Sequence, residues 1–279
     1  LGPPALDLLN DAVELYVLEL SSFQLETTYS LNPRVATVLN VSADHMDRYD
    51  DISGYAGTKA RIFQGAEPAV LNRDDSRVRE MAGTAEQDVG FTLGAPATES
   101  DFGILAHDGE PWLARGSSLL LPASEVAAKG RHNLANALAA LAMGQACGLA
   151  DTAMMEALRV FRGLPHRTDL IYSKGGVDWY DDSKGTNPGA TVAALDGLID
   201  PSEPARAVLI AGGDCKGADF APLVSAVQRA VRAVVLLGRD AAMIEAVLPA
   251  RVRVLQAKSM QEAVRLAFDA AQPGDCVLP

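Results

Sequence analysis

The chain of 279 residues is 48% hydrophobic with a formal charge of −12. That length and apolar content suit two domains that each bury a core, which excludes a disordered chain. The acidic balance argues against a nucleic-acid backbone as main partner, so any anion bound here must meet a local cluster of Lys and Arg. Cys147, Cys215 and Cys276 lie far apart with no C-x-x-C; this fits a reducing compartment and reads as three structural thiols, not a disulfide scaffold or zinc site. No apolar run reaches the roughly 18 residues of a membrane span, and no signal-peptide pattern opens the chain.

Leu15 to Leu20 has the apolar density of a buried strand, with Glu19 near its carboxyl end and a polar run from Ser21 to Gln24 beyond it. A second strand is expected from Val35 to Val41, followed by Ser42-Ala43-Asp44-His45-Met46-Asp47-Arg48. Ligands of open α/β sheets gather at that edge, so two ionisable clusters after two strands imply one crevice. Taken singly, Glu19 could pair with an Arg, and His45 could cap a helix or pack in the core. Ile52 to Ala66 has helical spacing, with Asp51 or Ser53 as cap, and puts Lys59 on the apolar face with Tyr55, Ile62 and Phe63. Lys59 is there either a snorkelling side chain or a partly desolvated amine with lowered pKa. Strands are expected at Pro68–Asn72 and Val89–Leu93, with a hairpin over Asp101–Ala114 that turns at Asp108-Gly109 and leaves His107 in a solvated loop. A long helix from Gly130 to Leu149 carries Asn133 and Asn136 on one face near its start, where two amides can cap or can read a purine edge; a helix from Thr152 to Phe161 follows.

Gly163-Leu164-Pro165 separates two helical patterns at a place where domains can move, and His166 and Arg167 come next as potential phosphate donors. Thr168–Tyr172 and Val177–Tyr180 read as a hairpin that turns at Lys174-Gly175-Gly176 and delivers Asp181 and Asp182 to a strand end. Ser183-Lys184-Gly185-Thr186 is a polar loop before Asn187-Pro188, a cap and first position for the next helix, and such an N-terminus favours anions. Strands at Ala207–Ala211, Ala233–Leu237, Val252–Gln256 and from Asp275 alternate with helices at Phe220–Val231, Asp240–Val247 and Met260–Ala271. Such alternation predicts a parallel, doubly wound sheet. After the first of these strands, the run Gly212 to Asp219 offers Asp219 as a cap and Lys216 for an acidic ligand. The G-x-G-x-x-G spacing is missing, so a dinucleotide site is not expected. Gly238-Arg239-Asp240 reads as a turn plus cap.

Seven stretches, ELSSFQLE (19–26), NVSADHMDRY (40–49), TKARIF (58–63), GRHNLANALAA, GLPHR, DDSKGTN and GGDCKGADF, resemble the Mur ligase family in its own order across almost the whole chain. The first two are specific to the branch that adds D-glutamate. The resemblance implies two α/β domains: a central, mostly parallel-sheet ATPase-type domain over 1–163, and a Rossmann-like, doubly wound, amino-acid-binding domain over 164–279. It implies a cytoplasmic, monomeric, ATP-dependent carboxylate–amine ligase of peptidoglycan synthesis. Its substrates would be UDP-N-acetylmuramoyl-L-alanine and D-glutamate, joined through an acyl phosphate, with no nucleic-acid partner and no membrane insertion.

Carried onto this sequence, the resemblance assigns Glu19, His45 and a carbamylated Lys59 to magnesium at two sites, with Lys59, His45 and Lys184 in the catalytic centre. Asn133 and Asn136 would meet adenine, Arg167 the ATP phosphates and Asp182 the ribose region. Thr186 and Lys216 would receive D-glutamate, with Ser21 and Gln24 at the substrate end of the crevice. Two departures stand out: no G-K-[ST] phosphate loop occurs in these residues, and the family continues past the position of Pro279. The expectation is therefore a central domain plus most of a C-terminal domain, which folds but does not ligate alone. The alternatives are another Mur or folylpolyglutamate-type ligase, and a non-catalytic nucleotide-binding module.

Overall fold

The computed structural model of the chain describes residues 4–81, 88–200, 202–215 and 218–279. In the first half the elements are α1 (Ser22–Glu26), β1 (Ala36–Val38), α2 (Ile52–Ala60), β2 (Ala69–Asn72), α3 (Ser76–Met81) and β3 (Val89–Phe91), then β4 (Phe102–His107), β5 (Glu110–Arg115), β6 (Ser118–Pro122), α4 (Arg131–Ala146) and α5 (Asp151–Val160). The strands form one sheet in chain order, β1 to β6, among the described residues. The β1 to β4 pairs are parallel, and β4, β5 and β6 are antiparallel. The hairpin turns where expected, with Asp108 at φ 50° and Gly109 at φ 82°, the doubly positive pair that a tight two-residue turn takes. On one face α4 buries Leu138 and Leu141 against Phe91, Phe102, Leu113 and Leu121. The other face is covered by α2 and α3, where Tyr55 and Val78 pack on Val38 and Leu71.

Helix α2 starts where Asp51 accepts the Gly54 N–H at 2.8 Å, and ends in a 3-10 turn, Arg61–Phe63, instead of running to Ala66. Residues 15–20 do not form the expected buried strand: they form no ladder, with Leu15 40% and Val17 83% exposed. An apolar run becomes a strand only where a neighbour takes its N–H and C=O groups, and among the described residues β1 pairs only with β2. Glu19 therefore sits on an unpaired, exposed segment instead of at a strand end.

The second half contains β7 (Asp169–Lys174), β8 (Val177–Asp181), α6 (Pro188–Leu198), β9 (Ala207–Gly212), α7 (Ala221–Ala230), β10 (Val231–Leu237), α8 (Ala241–Val247), β11 (Arg253–Gln256), α9 (Met260–Ala270) and β12 (Cys276–Leu278). Its sheet runs β11-β10-β9-β12-β8-β7 among the described residues, parallel except for β7 against β8. Along β9 the side chains alternate: Leu209 packs with α6, α7 and α8, while Val208 and Ile210 pack with Ala263 and Ala267 of α9. Burial on both faces is what a crossover-linked parallel sheet requires. At the start of α7, Asp219 accepts the Ala221 N–H at 2.9 Å. Asp240 does not cap α8. Its carboxylate takes the Cys215 N–H at 2.8 Å and Arg239 Nε at 2.9 Å, tying the ends of β9 and β10 together. Among the described residues no helix is long and apolar enough to cross a membrane.

Candidate active site

The segment after β1 is pinned by Asp75, which accepts the Val41 N–H at 2.9 Å. Two residues of it carry charge or titratable chemistry close together. Asp44 accepts the His45 N–H at 2.9 Å and lies 3.9 Å from His45 Nε2. His45 is at φ 56°, and its ring meets Phe23 of α1 with centroids 4.8 Å apart. The neighbouring loop is fixed to α1 through Glu26, which pairs with Arg48 and accepts from the Tyr49 hydroxyl at 2.7 Å.

Lys59 sits in the last turn of α2, its ammonium 5.1 Å from the centre of the Tyr55 ring. Burial pushes its pKa down, opposed by the negative charges of Asp44 and then Glu19. Lys59 is of intermediate exposure, and this burial is the feature on which the partly desolvated reading rests. Burial, with a smaller push from Asp44, raises the Tyr55 hydroxyl to about 12, so its ring stays neutral beside the lysine. Asp44 and Glu19 thus each act on Lys59, and His45 is the neighbour of Asp44. Among the described residues no three His, Cys, Asp or Glu side chains are gathered as a metal-holding group.

Ser21 and Gln24 engage each other. The Ser21 Oγ accepts the Gln24 N–H at 3.3 Å and Gln24 Oε1 accepts the Ser21 N–H at 2.8 Å, a capping box at the start of α1. The S-x-x-Q spacing would have signalled it. The amides of α4 do not cap their helix: the N-cap is Gly130, at φ 103° and without a side-chain bond. Instead Asn133 Nδ2 donates to the Lys129 carbonyl at 2.8 Å, and Asn136 Nδ2 leans on Asn133 Oδ1 at 3.4 Å.

Beyond the junction at Gly163 (φ 113°), His166 meets Asp181 at 2.7 Å. That hydrogen bond, with the Ser183 N–H, holds the Asp181 carboxyl down at about 2. Asp182 is buried and accepts from the Thr168 N–H at 2.8 Å and the Thr168 hydroxyl at 3.2 Å. Burial raises its pKa, against the pull of those two bonds and of His132 and Arg167. His132, at the start of α4, is pushed down by burial while Asp182 and a backbone bond to Ala193 act the other way; its Nδ1 is buried without a partner. So Asp182 from the second half acts on His132 at the helix start that carries Asn133, and Arg167 acts on Asp182. Lys184 and Thr186 lie exposed on the loop that leads into α6, whose Lys184 N–H donates to the His166 carbonyl at 3.2 Å. Lys216 lies outside the described residues. The two halves touch directly where Asn187 Nδ2 donates to Asp44 Oδ2 at 3.2 Å. Sequence reasoning passed over His132, and read Asp44 only as part of an ionisable cluster and Asn187 only as a helix cap.

Two α/β domains with mostly parallel sheets meet here, one bringing a half-buried lysine under the charge of Asp44 and Glu19 and the other an exposed Lys-bearing loop at a helix start. The geometry defines a two-domain α/β protein with its polar chemistry at the domain junction. The family model of the Mur ligase middle domain matches residues 3–144, and that of the Mur ligase glutamate ligase domain matches residues 166–279, so the chain belongs to the Mur ligase family.

Among curated relatives, the UDP-N-acetylmuramoylalanine--D-glutamate ligase of Nitrosococcus oceani is 52% identical over 279 residues, covering 100% of this chain and 61% of its own length. The protein of the same name from Pseudomonas aeruginosa is 51% identical over 278 residues, covering 100% and 62%. The chain thus spans about three-fifths of the length of these relatives. Among solved structures, MurF from Acinetobacter baumannii superposes with a TM-score of 0.68 at 20% identity, over 88% of this chain and 56% of that one. Mycobacterium tuberculosis folylpolyglutamate synthase, complexed with ADP and AMPPCP, superposes with a TM-score of 0.66 at 21% identity, over 89% and 61%.

Proposed function

We propose that the protein carrying this chain joins D-glutamate to the carboxylate of UDP-N-acetylmuramoyl-L-alanine with ATP, a cytoplasmic step of peptidoglycan synthesis carried out by a monomer. The observation that carries the reading is the identity of about half of all residues, across the whole chain, with relatives named for that reaction. Residues 1–163 serve as the ATP-binding unit and 164–279 as the amino-acid-binding unit.

In this reaction class a carboxylate oxygen takes a phosphoryl group, the amine attacks the acyl carbon, and phosphate leaves; ATP supplies the phosphoryl group. Asn133 and Asn136 at the start of α4, with Asp182 and Arg167 opposite, would hold the nucleotide. Arg167 and Lys184 are the local cations that an acidic chain must concentrate where anionic reactants meet. Thr186 and Lys216 would receive D-glutamate, and Ser21 and Gln24 would border the other substrate. As their polar atoms already serve the capping box, Ser21 and Gln24 would act mainly by fixing α1.

For magnesium, the donor set is the test. Magnesium takes oxygen ligands in near-octahedral array, and among the described residues the unmodified side chains do not gather three such ligands. The set would be enlarged by a carbamate on Lys59. The neutral lysine amine would form an N–C bond to carbon dioxide and release a proton, adding two oxygens to the donors offered by Glu19 and His45. Magnesium held there would neutralise phosphoryl charge. Burial of Lys59 supplies the neutral amine that carbamylation needs.

The reading is tested by phosphate release from ATP and UDP-N-acetylmuramoyl-L-alanine with a panel of amino acids. The full-length protein is expected to release phosphate with D-glutamate. The 279 residues alone, which contain no G-K-[ST], are expected to fold without turnover. Release with L-lysine or meso-diaminopimelate but not D-glutamate would assign the protein to another branch of the family.

A further inference from the structure

Helix α6 belongs to the second domain, yet one side of it is shaped to the first. At Gly189 an added Cβ would stand 2.9 Å from the Ser42 Cβ, and at Gly197 it would stand 2.6 Å from His132 Nδ1. The two glycines are about two helical turns apart, so α6 lies along the first domain with contact at both ends. Pro188, at its first turn, is buried. One polar contact of this seam is Asn187, beside the bond from His132 to the Ala193 backbone, and its amide has two jobs. Its Oδ1 accepts the Ala190 N–H at 2.9 Å and so caps α6, which leaves Nδ2 to donate to Asp44 Oδ2 at 3.2 Å. The other Asp44 oxygen takes the His45 N–H at 2.9 Å. Asp44 is therefore held from both sides, and it is a carboxylate whose charge acts on Lys59.

We propose that Asn187 is a positioning residue that ties the Lys184–Thr186 loop to the Asp44–His45 segment of the first domain. An N-cap needs only an acceptor, and Ser or Asp would serve as well as Asn; the amide nitrogen is what Asn adds, and it is spent on the other domain. Thr186 immediately precedes Asn187 and Lys184 stands three residues before it. When α6 is seated, the loop that would meet the amino acid and the Asp44–His45 segment are fixed by the same side chain. Ligation would then depend on α6 docking even where nucleotide binding does not. This rests on the ligase reading above for its kinetic consequence, although the link to Asp44 itself does not.

The test uses Asn187→Ser and Asn187→Asp in the full-length protein. Both keep a capping oxygen. The serine is too short to reach Asp44, and the aspartate places a second carboxylate against it. The expected result is a fall in kcat of about fivefold for the serine and about fiftyfold for the aspartate, with the KM for ATP moving less than about twofold. The rate of amide hydrogen exchange over residues 40–49, read by peptide mass spectrometry without substrates, is expected to rise at least about threefold in the serine variant, with the thermal midpoint unchanged. A capping role alone leaves kcat and exchange at wild-type values in both variants, and that result would overturn the proposal. Should the wild-type protein show no ligation with D-glutamate, the ligase reading fails, while exchange over residues 40–49 in the serine variant still decides the coupling.

Discussion

Lys59→Ala in the full-length protein is expected to lower kcat by at least about a hundredfold, the scale set by removing one preorganised group from a charge-stabilising site. Short carboxylates such as acetate should restore part of that loss. The side chain emerges from the last turn of α2 beside the Tyr55 ring, and burial favours the neutral amine while Asp44 and Glu19 favour the ammonium. A snorkelling lysine would keep its head in water and need no such neighbours. A carbamate, by contrast, would put a carboxylate-like group on a side chain that already lies under the charge of Asp44 and Glu19. Removing it would leave nucleotide affinity largely intact, because Asn133, Asp182 and Arg167 belong to a different part of the junction. The discriminating observations are the KM for ATP, expected within about threefold of wild type, and the acetate response. Full activity of Lys59→Ala without additive would leave only the packing role.

Asp275→Ala is expected to destabilise the second domain by about 3–5 kcal/mol, the usual cost of removing one partner of a buried ion pair. Its side chain is 1% exposed. It accepts from Arg232 Nη2 at 2.9 Å, the Arg206 N–H at 2.9 Å and the Gln272 N–H at 2.8 Å, joining β12 to the starts of β9 and β10. Burial by itself would raise this carboxyl, but Arg232 and the two backbone N–H groups outweigh it and hold the pKa below the ordinary value. The sign follows: a depressed carboxylate contributes its full stability above the ordinary carboxylate range and loses it as pH falls through the lowered folded value. Urea denaturation should therefore show the largest gap between wild type and Asp275→Ala near neutral pH, narrowing below about pH 4. Arg232→Met added to Asp275→Ala should recover part of the loss, because it removes the stranded guanidinium. A double variant no more stable than Asp275→Ala alone would show that the ion pair is not what the site is built on.

Local chemistry was legible in the sequence wherever a single segment decides the outcome. The alternation from Ala207 onward read as a parallel sheet because each strand is apolar on both faces and each crossover has helical length. The turns at Asp108-Gly109 and Gly175-Gly176, and the caps at Asp51 and Asn187, are set by the backbone preferences of those residues. Leu15 to Leu20 misled because density alone does not supply a pairing partner. Ser118–Pro122, an extra strand on the hairpin, went unseen because it too depends on a neighbour for its ladder. At the candidate site, Lys59 was legible from its helical face. The contacts of Asp44, His132 and Asn187 were not, because they run across the domain junction. The Asp44 and Asn187 side chains are 143 residues apart in sequence, and no periodicity announces such a pair.

The most direct measurement of the central claim uses UDP-N-acetylmuramoyl-L-alanine whose alanyl carboxylate carries heavy-isotope oxygen, incubated with the full-length protein, ATP and D-glutamate. If the carboxylate is phosphorylated and then captured by the amine, one labelled oxygen leaves with the released phosphate and the other stays in the new amide. Mass spectrometry of phosphate and product should find one label in each. Unlabelled phosphate alongside an ADP signal, or no condensed product with D-glutamate, would contradict the account.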